Sequence, residues 1–337
     1  MIFWKMLKFI IESGIQMVEQ LLNYFSRHKD KFISGEQLSR HFNCSRTAIW
    51  KQIEALRKQG YTFQAKPRLG YRLLTAPVTY DLARLTSCIQ TKVMGSSLRL
   101  YDTVDSTQNM AHDLAREGAH EGTLVVAEQQ TNGRGRLGRI WHSPSGKGIW
   151  MSLILKPRIP VQFSPQLTLL TAVALCRSLQ RSISQQIGIK WPNDLLIGGR
   201  KVSGILLESS TENERLHNVI VGIGISVNLT EQDYPEDLLP KATSLLIESG
   251  HLVQREEVIC HFLQQFEELY ALYHLQGFAP IRLLWEALSV SLHCPIRIQS
   301  STGFVEGIAH SIDEMGALEV LQHDGSLIKV YSGDIFL

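Results

Sequence analysis

Three observations predict a multidomain α+β chain. The head pairs two amphipathic helices with a basic hairpin, the middle alternates strands and helices, and the tail contains only short strands. At 337 residues the chain is too long for one small core. With 44% hydrophobic and 20% charged residues, it is neither a disordered nor a membrane-embedded type.

Residues 1–16 are apolar but are interrupted by Lys5, Lys8 and Glu12. They fall short of a membrane span and lack a small-residue cleavage site, so a cytoplasmic protein without export signal or membrane contact is expected. Met17 opens a more ordinary amphipathic helix, Val18-Glu19-Gln20-Leu21-Leu22, and reads as an alternative start, which makes 1–16 an extension.

The head is expected over residues 17–76, with a domain joint at Thr75-Ala76-Pro77. Ile33 to Phe42 reads as a short helix entered through Ser34, and Asn43-Cys44-Ser45 makes a turn in which Ser45 suits the cap of the next helix. That helix, residues 46–58, places Ile49, Ile53 and Leu56 on one face and ends at Gly60. Arg46, Thr47, Trp50, Lys51 and Arg57 occupy the other face. Two strands follow around a basic tip, Lys66-Pro67-Arg68. Helix–turn–helix plus basic hairpin is the pattern of a winged helix, in which Ser45, Arg46, Thr47, Trp50 and Lys51 face the major groove while Lys66 and Arg68 meet phosphates. Trp50 suits either the groove or support of the wing. The competing reading is a small helical interaction domain with a solvated charged face. Charge favours DNA: residues 17–75 carry eleven Lys and Arg against four Asp and Glu, whereas 76–337 carry a net −6 within an overall +2.

The central domain is expected over 77–288. Leu98 to Thr103 reads as a strand, Asp105-Ser106-Thr107 as a helix start, and Thr123 to Glu128 as a buried strand leading into Gln130. A strand at 150–155 and a helix at 166–181 follow; Leu169, Leu170, Val173 and Ala174 form the helix's apolar stripe. Gly198-Gly199 separates two apolar runs as a two-residue hairpin turn, with Lys201 just beyond it. Val219 to Asn228 reads as a buried strand.

The chemistry concentrates in Gly133-Arg134-Gly135-Arg136-Leu137-Gly138-Arg139 and in Lys190-Trp191-Pro192-Asn193-Asp194 with Arg200-Lys201 and Gly204. Glycine permits close backbone approach, and arginine supplies forked donors for carboxylate or phosphate oxygens. A lone run of this kind would read as a solvated basic loop; a strand-borne lysine beside it points to chemistry on anionic groups. The pair Gly222-x-Gly224 lacks the third glycine of a dinucleotide fingerprint, and no P-loop, His-Glu-x-x-His or Gly-x-Ser-x-Gly element occurs. Five separated cysteines without a Cys-x-x-Cys pair suit a reducing compartment, buried as small apolar residues rather than joined as disulfides.

In this order, Gly-Arg-Gly-Arg-x-Gly-Arg, Lys-Trp-Pro-Asn-Asp and Arg-Lys-Val-Ser-Gly-Ile-Leu-Leu-Glu resemble the biotin–protein ligases, and with the winged head the chain resembles the bifunctional ligase and biotin operon repressor type. The resemblance runs from about Val18 to the C-terminus. It implies a central mixed sheet with helices, of the class II synthetase and biotin ligase kind, and it implies activation of biotin by ATP to biotinoyl-5′-AMP. Transfer to a lysine of a biotin carboxyl carrier protein would follow. Operator DNA, a ligand-promoted homodimer and Mg²⁺ with unassigned ligands are also implied. A sensor without turnover and a lipoate ligase are the alternatives.

Carried over by position, Arg136, Lys201 and Asp194 would be catalytic. Ser106, Thr107 and Gln108 resemble the segment that bonds the biotin ring; asparagine is usual at the third place, so Gln108 lengthens that reach. Gln130 resembles the pocket glutamine. Arg134, Gly135 and Arg136 resemble the loop that closes over the adenylate, with Arg139 in the phosphate cluster. Lys201, with Gly204 nearby, resembles the lysine at the biotin carboxylate. Asn193 and Asp194 would lie near the nucleotide and the incoming lysine, where Asp194 would assist proton removal. Ser226 stands where asparagine is common near the adenine, leaving that contact to Asn228 or the backbone. From residue 289 to 337, glycine and acidic turns separate short strands into a small SH3-like barrel.

Overall fold

The computed structural model describes residues 20–336 except 23, 26, 27, 29, 30, 59, 60, 76–78, 213, 214, 301 and 302. The expected extension at 1–16, the Met17 start, the stop at Gly60 and the joint at Ala76-Pro77 lie outside the described residues. Two compact units divide at Thr79/Tyr80.

In the first unit, α1 (Gly35–His41) begins with a reciprocal cap: the Gln37 amide N–H donates to Ser34 Oγ (3.1 Å) while the Ser34 N–H donates to Gln37 Oε1 (3.0 Å). In α2 (Arg46–Lys58), Ser45 Oγ accepts from the Ala48 N–H at 3.1 Å, the cap that the sequence anticipates. Ile49, Ile53 and Leu56 are buried together with Leu21, Phe25, Leu38 and Phe63. The hairpin β1 (Thr62–Lys66) and β2 (Gly70–Thr75) is antiparallel. Arg57 departs from expectation. Its Nη1 donates to Glu54 Oε1 (2.7 Å) and its Nη2 to the Phe63 carbonyl (3.0 Å), so it ties helix to hairpin instead of facing outward.

The second unit is built on a seven-stranded sheet. Its strands are β3 (Ser97–Val104), β4 (Thr123–Gln130), β5 (Ile149–Leu155), β6 (Ile187–Lys190), β7 (Asp194–Ile197), β8 (Arg200–Glu212) and β9 (Arg215–Ile225), in the order β3-β4-β5-β9-β8-β7-β6. β3 and β4 pair parallel and the other neighbours antiparallel, giving the expected mixed sheet. The parallel pair needs a crossover, supplied by α3 (Thr107–Arg116). The Gly198-Gly199 turn joins β7 to β8 with both glycines at positive φ (56° and 79°), which a two-residue hairpin of this twist requires.

One face of the sheet is covered by α4 (Ser164–Gln180), which is buried nearly all round between the sheet and α5 (Arg255–Gln276). Glu128 on β4 and Arg255 form a buried ion pair at 2.8 Å, and the guanidinium also donates to the Gly148 carbonyl (3.1 Å). A further short helix at Leu82–Cys88 corrects the cysteine reading: Cys88 is disulfide-bonded to Cys260 on α5, with Cα atoms 5.9 Å apart. The pair is 172 residues apart in sequence, so no local spacing could reveal it. Cys176 is buried as expected, and burial pushes its thiol up to about 12.

The tail forms β10 (Pro295–Ser300), β11 (Gly303–Ile312), β12 (Leu318–Leu321), β13 (Leu327–Val330) and β14 (Asp334–Phe336), an antiparallel five-stranded sheet in the order β13-β12-β11-β10-β14. Its apolar side, including Ile298, Ile312 and Val320, is continuous with the central core. Trp191 clamps the junction: its backbone N–H donates to Ser291 Oγ (3.0 Å) and its indole N–H to the Gly316 carbonyl (3.4 Å). This fixes where the adjoining Asn193-Asp194 leaves the central sheet. Among the described residues, no helix is long and apolar enough to cross a membrane.

Candidate active site

A cavity of about 700 Å³ opens above the sheet, walled by the 133–141 loop, the 190–194 segment, the β7–β8 hairpin and the last strand of the tail. Ser106, Thr107, Gln108, Gln130, Arg134, Gly135, Arg136, Arg139, Asn193, Asp194, Lys201, Gly204 and Ser226 all line it. One expected residue does not. Asn228 is buried, and its amide both donates to the Val253 carbonyl (2.9 Å) and accepts from the Val253 N–H (3.0 Å), so it anchors a loop.

At one end, Ser106 caps α3, and the Thr107 N–H and hydroxyl both donate to Gln130 Oε1 (2.9 and 3.1 Å). The Gln130 amide in turn donates to Ser143 Oγ (2.9 Å). Ser152 Oγ, on β5, lies 2.9 Å from both Thr107 Oγ1 and Gln108 Oε1. These buried polar groups satisfy one another, which makes this end a rigid wall. Gly222 and Gly224 lie within the C-terminal end of β9, paired on both sides, rather than at a phosphate turn. A Cβ on Gly222 would approach Gln108 Oε1 to 2.7 Å, and one on Gly224 would approach Trp141 Nε1 to 2.3 Å. The glycine pair thus makes room for these two side chains.

At the other end the loop closes on itself through Gly135 N–H to the Arg139 carbonyl (2.7 Å) and Trp141 N–H to the Gly133 carbonyl (2.8 Å). The three arginines part company. Arg136 turns inward: Nη1 donates to Asn193 Oδ1 and Nη2 to Ser332 Oγ, both at 3.0 Å. Burial lowers its pKa from the usual guanidinium value, opposed by the carboxylates of Asp334 and Asp194, and it remains a cation. Arg139 is mostly exposed and pairs with Asp334. Arg134, which also lines the cavity, is held by Glu208 and Asn109. Its guanidinium is thus already paired with a carboxylate.

Lys201 Nζ lies 2.6 Å from Asp194 Oδ1 and 5.1 Å from the centre of the Trp141 ring. Gly204 leaves space for this amine, since a Cβ there would sit 3.0 Å from Lys201 Nζ. The predicted amine and flap arginine thus share one cavity. Trp141, Lys190, Tyr234, Gly333 and Asp334 also line it and were not assigned roles from sequence. Lys190 stands in the quoted Lys-Trp-Pro-Asn-Asp run, and burial pulls its ammonium below the usual lysine value. Nothing in local pattern marks Trp141 or the tail residues. Among the described residues no three His, Cys, Asp or Glu side chains converge as a metal cage.

In the head, Ser45, Arg46, Thr47, Trp50, Lys51, Lys66 and Arg68 are all exposed. Trp50 is half exposed. Lys66 lies over the Phe32 ring at 5.1 Å, and Arg72 lies over the same ring at 4.9 Å.

Comparison with known proteins agrees with this arrangement. Residues 18–72 match the HTH domain, 100–226 the biotin/lipoate A/B protein ligase family, and 295–337 the biotin protein ligase C terminal domain. The bifunctional ligase/repressor BirA of Bacillus subtilis is 46% identical over 319 residues, covering 95% of this chain and 98% of that one. Its namesake from Escherichia coli is 29% identical over 307 residues, covering 91% and 93%. The structure of the biotin protein ligase from Aquifex aeolicus in complex with biotin and ATP is 31% identical, with a TM-score of 0.62 over 72% of this chain and 98% of that one. With its DNA-binding head, ligase body and C-terminal domain all matched, the chain belongs to the family of bifunctional biotin ligase/repressors.

Proposed function

We infer that this chain activates biotin with ATP and transfers it to a lysine of a biotin carboxyl carrier protein, and that its head represses a biotin operon. In the first step a biotin carboxylate oxygen bonds to the α-phosphorus of ATP and the bond to pyrophosphate breaks, leaving biotinoyl-5′-AMP. In the second, the carrier lysine nitrogen bonds to the acyl carbon and AMP leaves. Bringing carboxylate and phosphate together opposes two anions, so cations placed in advance lower the barrier. Lys201 and Arg136 take that task, Lys201 at the carboxylate and Arg136 over the anhydride. Asp194 receives the proton that the attacking lysine loses. Ser106, Thr107, Gln108 and Gln130 hold the ring end, Asn193 and Ser226 the nucleotide side, and the closed loop keeps water from the anhydride.

The observation that carries this reading is that Arg136 and Lys201 line one cavity together with the Thr107–Gln130 network. Biotin-dependent exchange of labelled pyrophosphate into ATP tests it. Exchange with biotin supports it, exchange only with lipoate points to the other branch of the matched family, and absence of exchange leaves a sensor without turnover. ATP-dependent labelling of a carrier domain tests the second step.

The same reading extends to regulation in the cytoplasm. Arg46, Thr47 and Lys51 enter the major groove of an operator while Lys66 and Arg68 meet phosphates. Ligand occupancy promotes a homodimer suited to two half-sites, by linkage between ligand binding and association. Beyond Ile205, β8 is paired with a strand on one side only among the described residues, and such an edge suits strand-to-strand association. Sedimentation with and without biotin and ATP checks this: an unchanged monomer would remove the dimer from the scheme.

A further inference from the structure

Glu208 is a half-buried carboxylate on β8 that does not line the cavity and has no task in the chemistry above. It gathers donors from two separate elements. Gln108 Nε2 and His112 Nε2, both on α3, lie 3.0 Å from its Oε2. Arg134, on the loop, donates through Nη2 to Oε2 (3.0 Å) and through Nε to Oε1 (3.3 Å), a forked pair. The remaining nitrogen, Nη1, donates to Asn109 Oδ1 at 2.6 Å.

We propose that Glu208 is a positioning residue that couples closure of the glycine–arginine loop to the orientation of Gln108 at the ring end of the cavity. The inference rests on the biotin ligase reading and adds a residue to it. An ionised carboxylate only accepts hydrogen bonds, so the face of Gln108 turned toward it must be the NH₂ group. The amide oxygen is thereby directed to Ser152 Oγ, 2.9 Å away. The same carboxylate anchors the first arginine of the loop and leaves the second, Arg136, to reach inward. Burial would push the Glu208 carboxyl up, but hydrogen bonds from Arg134 and His112 outweigh it and hold the group below its usual value. A ligand that engages Gln108 therefore acts on a group that shares its anchor with the loop, and a ligand that the loop covers acts back on Gln108.

Replacing Glu208 by Gln keeps the shape but presents an NH₂ to donors, so at least one of them loses its acceptor. A purely structural role would lower stability and leave the substrate parameters in proportion. Coupling makes a different set of expectations for the full-length protein. Glu208→Gln and Arg134→Gln should each release preformed biotinoyl-AMP at least about ten-fold faster, the scale of a lost charge-assisted bond. Each should raise the KM for biotin more than that for ATP, and the double variant should be no worse than the more affected single one. Release at the wild-type rate from folded Glu208→Gln, or effects that multiply in the double variant, would overturn the proposal. If Glu208→Gln does not fold, Arg134→Gln combined with Asn109→Ala removes the anchor from the loop side and is read by the same measurements. Wild-type protein that makes no biotinoyl-AMP would instead defeat the ligase reading itself.

Discussion

Lys201 and Asp194 face each other at 2.6 Å across the β7–β8 hairpin, so the amine expected to meet the biotin carboxylate already has a carboxylate partner. The pairing holds the amine at the cavity before substrate arrives. Lys201→Ala removes the cation and leaves Asp194 facing an anionic substrate. Adenylate formation should fall by roughly 10²–10³-fold, the scale of losing one well-placed donor to a developing anion. Pyrophosphate exchange measures this, and near-normal exchange would remove Lys201 from catalysis.

Gly224→Ala would place a Cβ 2.3 Å from Trp141 Nε1, a contact that β9 and the indole cannot both keep. We expect a loss of about 1–3 kcal/mol in urea unfolding, typical of overpacking in a filled site. Trp141→Ala in the same chain should recover most of that difference. Additive losses would show that the strand, rather than the indole, sets the requirement.

Asn228→Ala separates the corrected role from the expected one. Its amide bonds both backbone groups of Val253, so the change should cost about 1–3 kcal/mol of stability through unsatisfied buried groups. The KM for ATP should stay as in wild type. A KM raised several-fold in a protein of undiminished stability would return Asn228 to the nucleotide.

Arg46 and Arg57 occupy one helix and should behave differently. Exposed Arg46 to Ala should weaken operator binding by about 1–3 kcal/mol and relax specificity at the base pair it reads. Arg57 bonds Glu54 and the Phe63 carbonyl, so Arg57→Ala should cost about 1 kcal/mol of stability in the head and change the salt slope little. Fluorescence anisotropy across a salt series distinguishes them.

The sequence by itself determined the local parts. Capping residues Ser34 and Ser45, the Ile49–Ile53–Leu56 stripe and the paired glycines at 198 and 199 act over a few residues, so spacing alone revealed them. The family motifs also located the two ends of the cavity in Gln130, Arg136 and Lys201. Only the tertiary structure decided what distant groups do to one another. Arg134 at the cavity wall binds Glu208, Asn228 turns to Val253, Cys88 meets Cys260, and Gly333 and Asp334 at the start of the last strand complete the cavity wall. A side chain's partner is set by which remote backbone segment the fold brings within hydrogen-bonding reach, about 3 Å, and that proximity leaves no periodic trace along the chain.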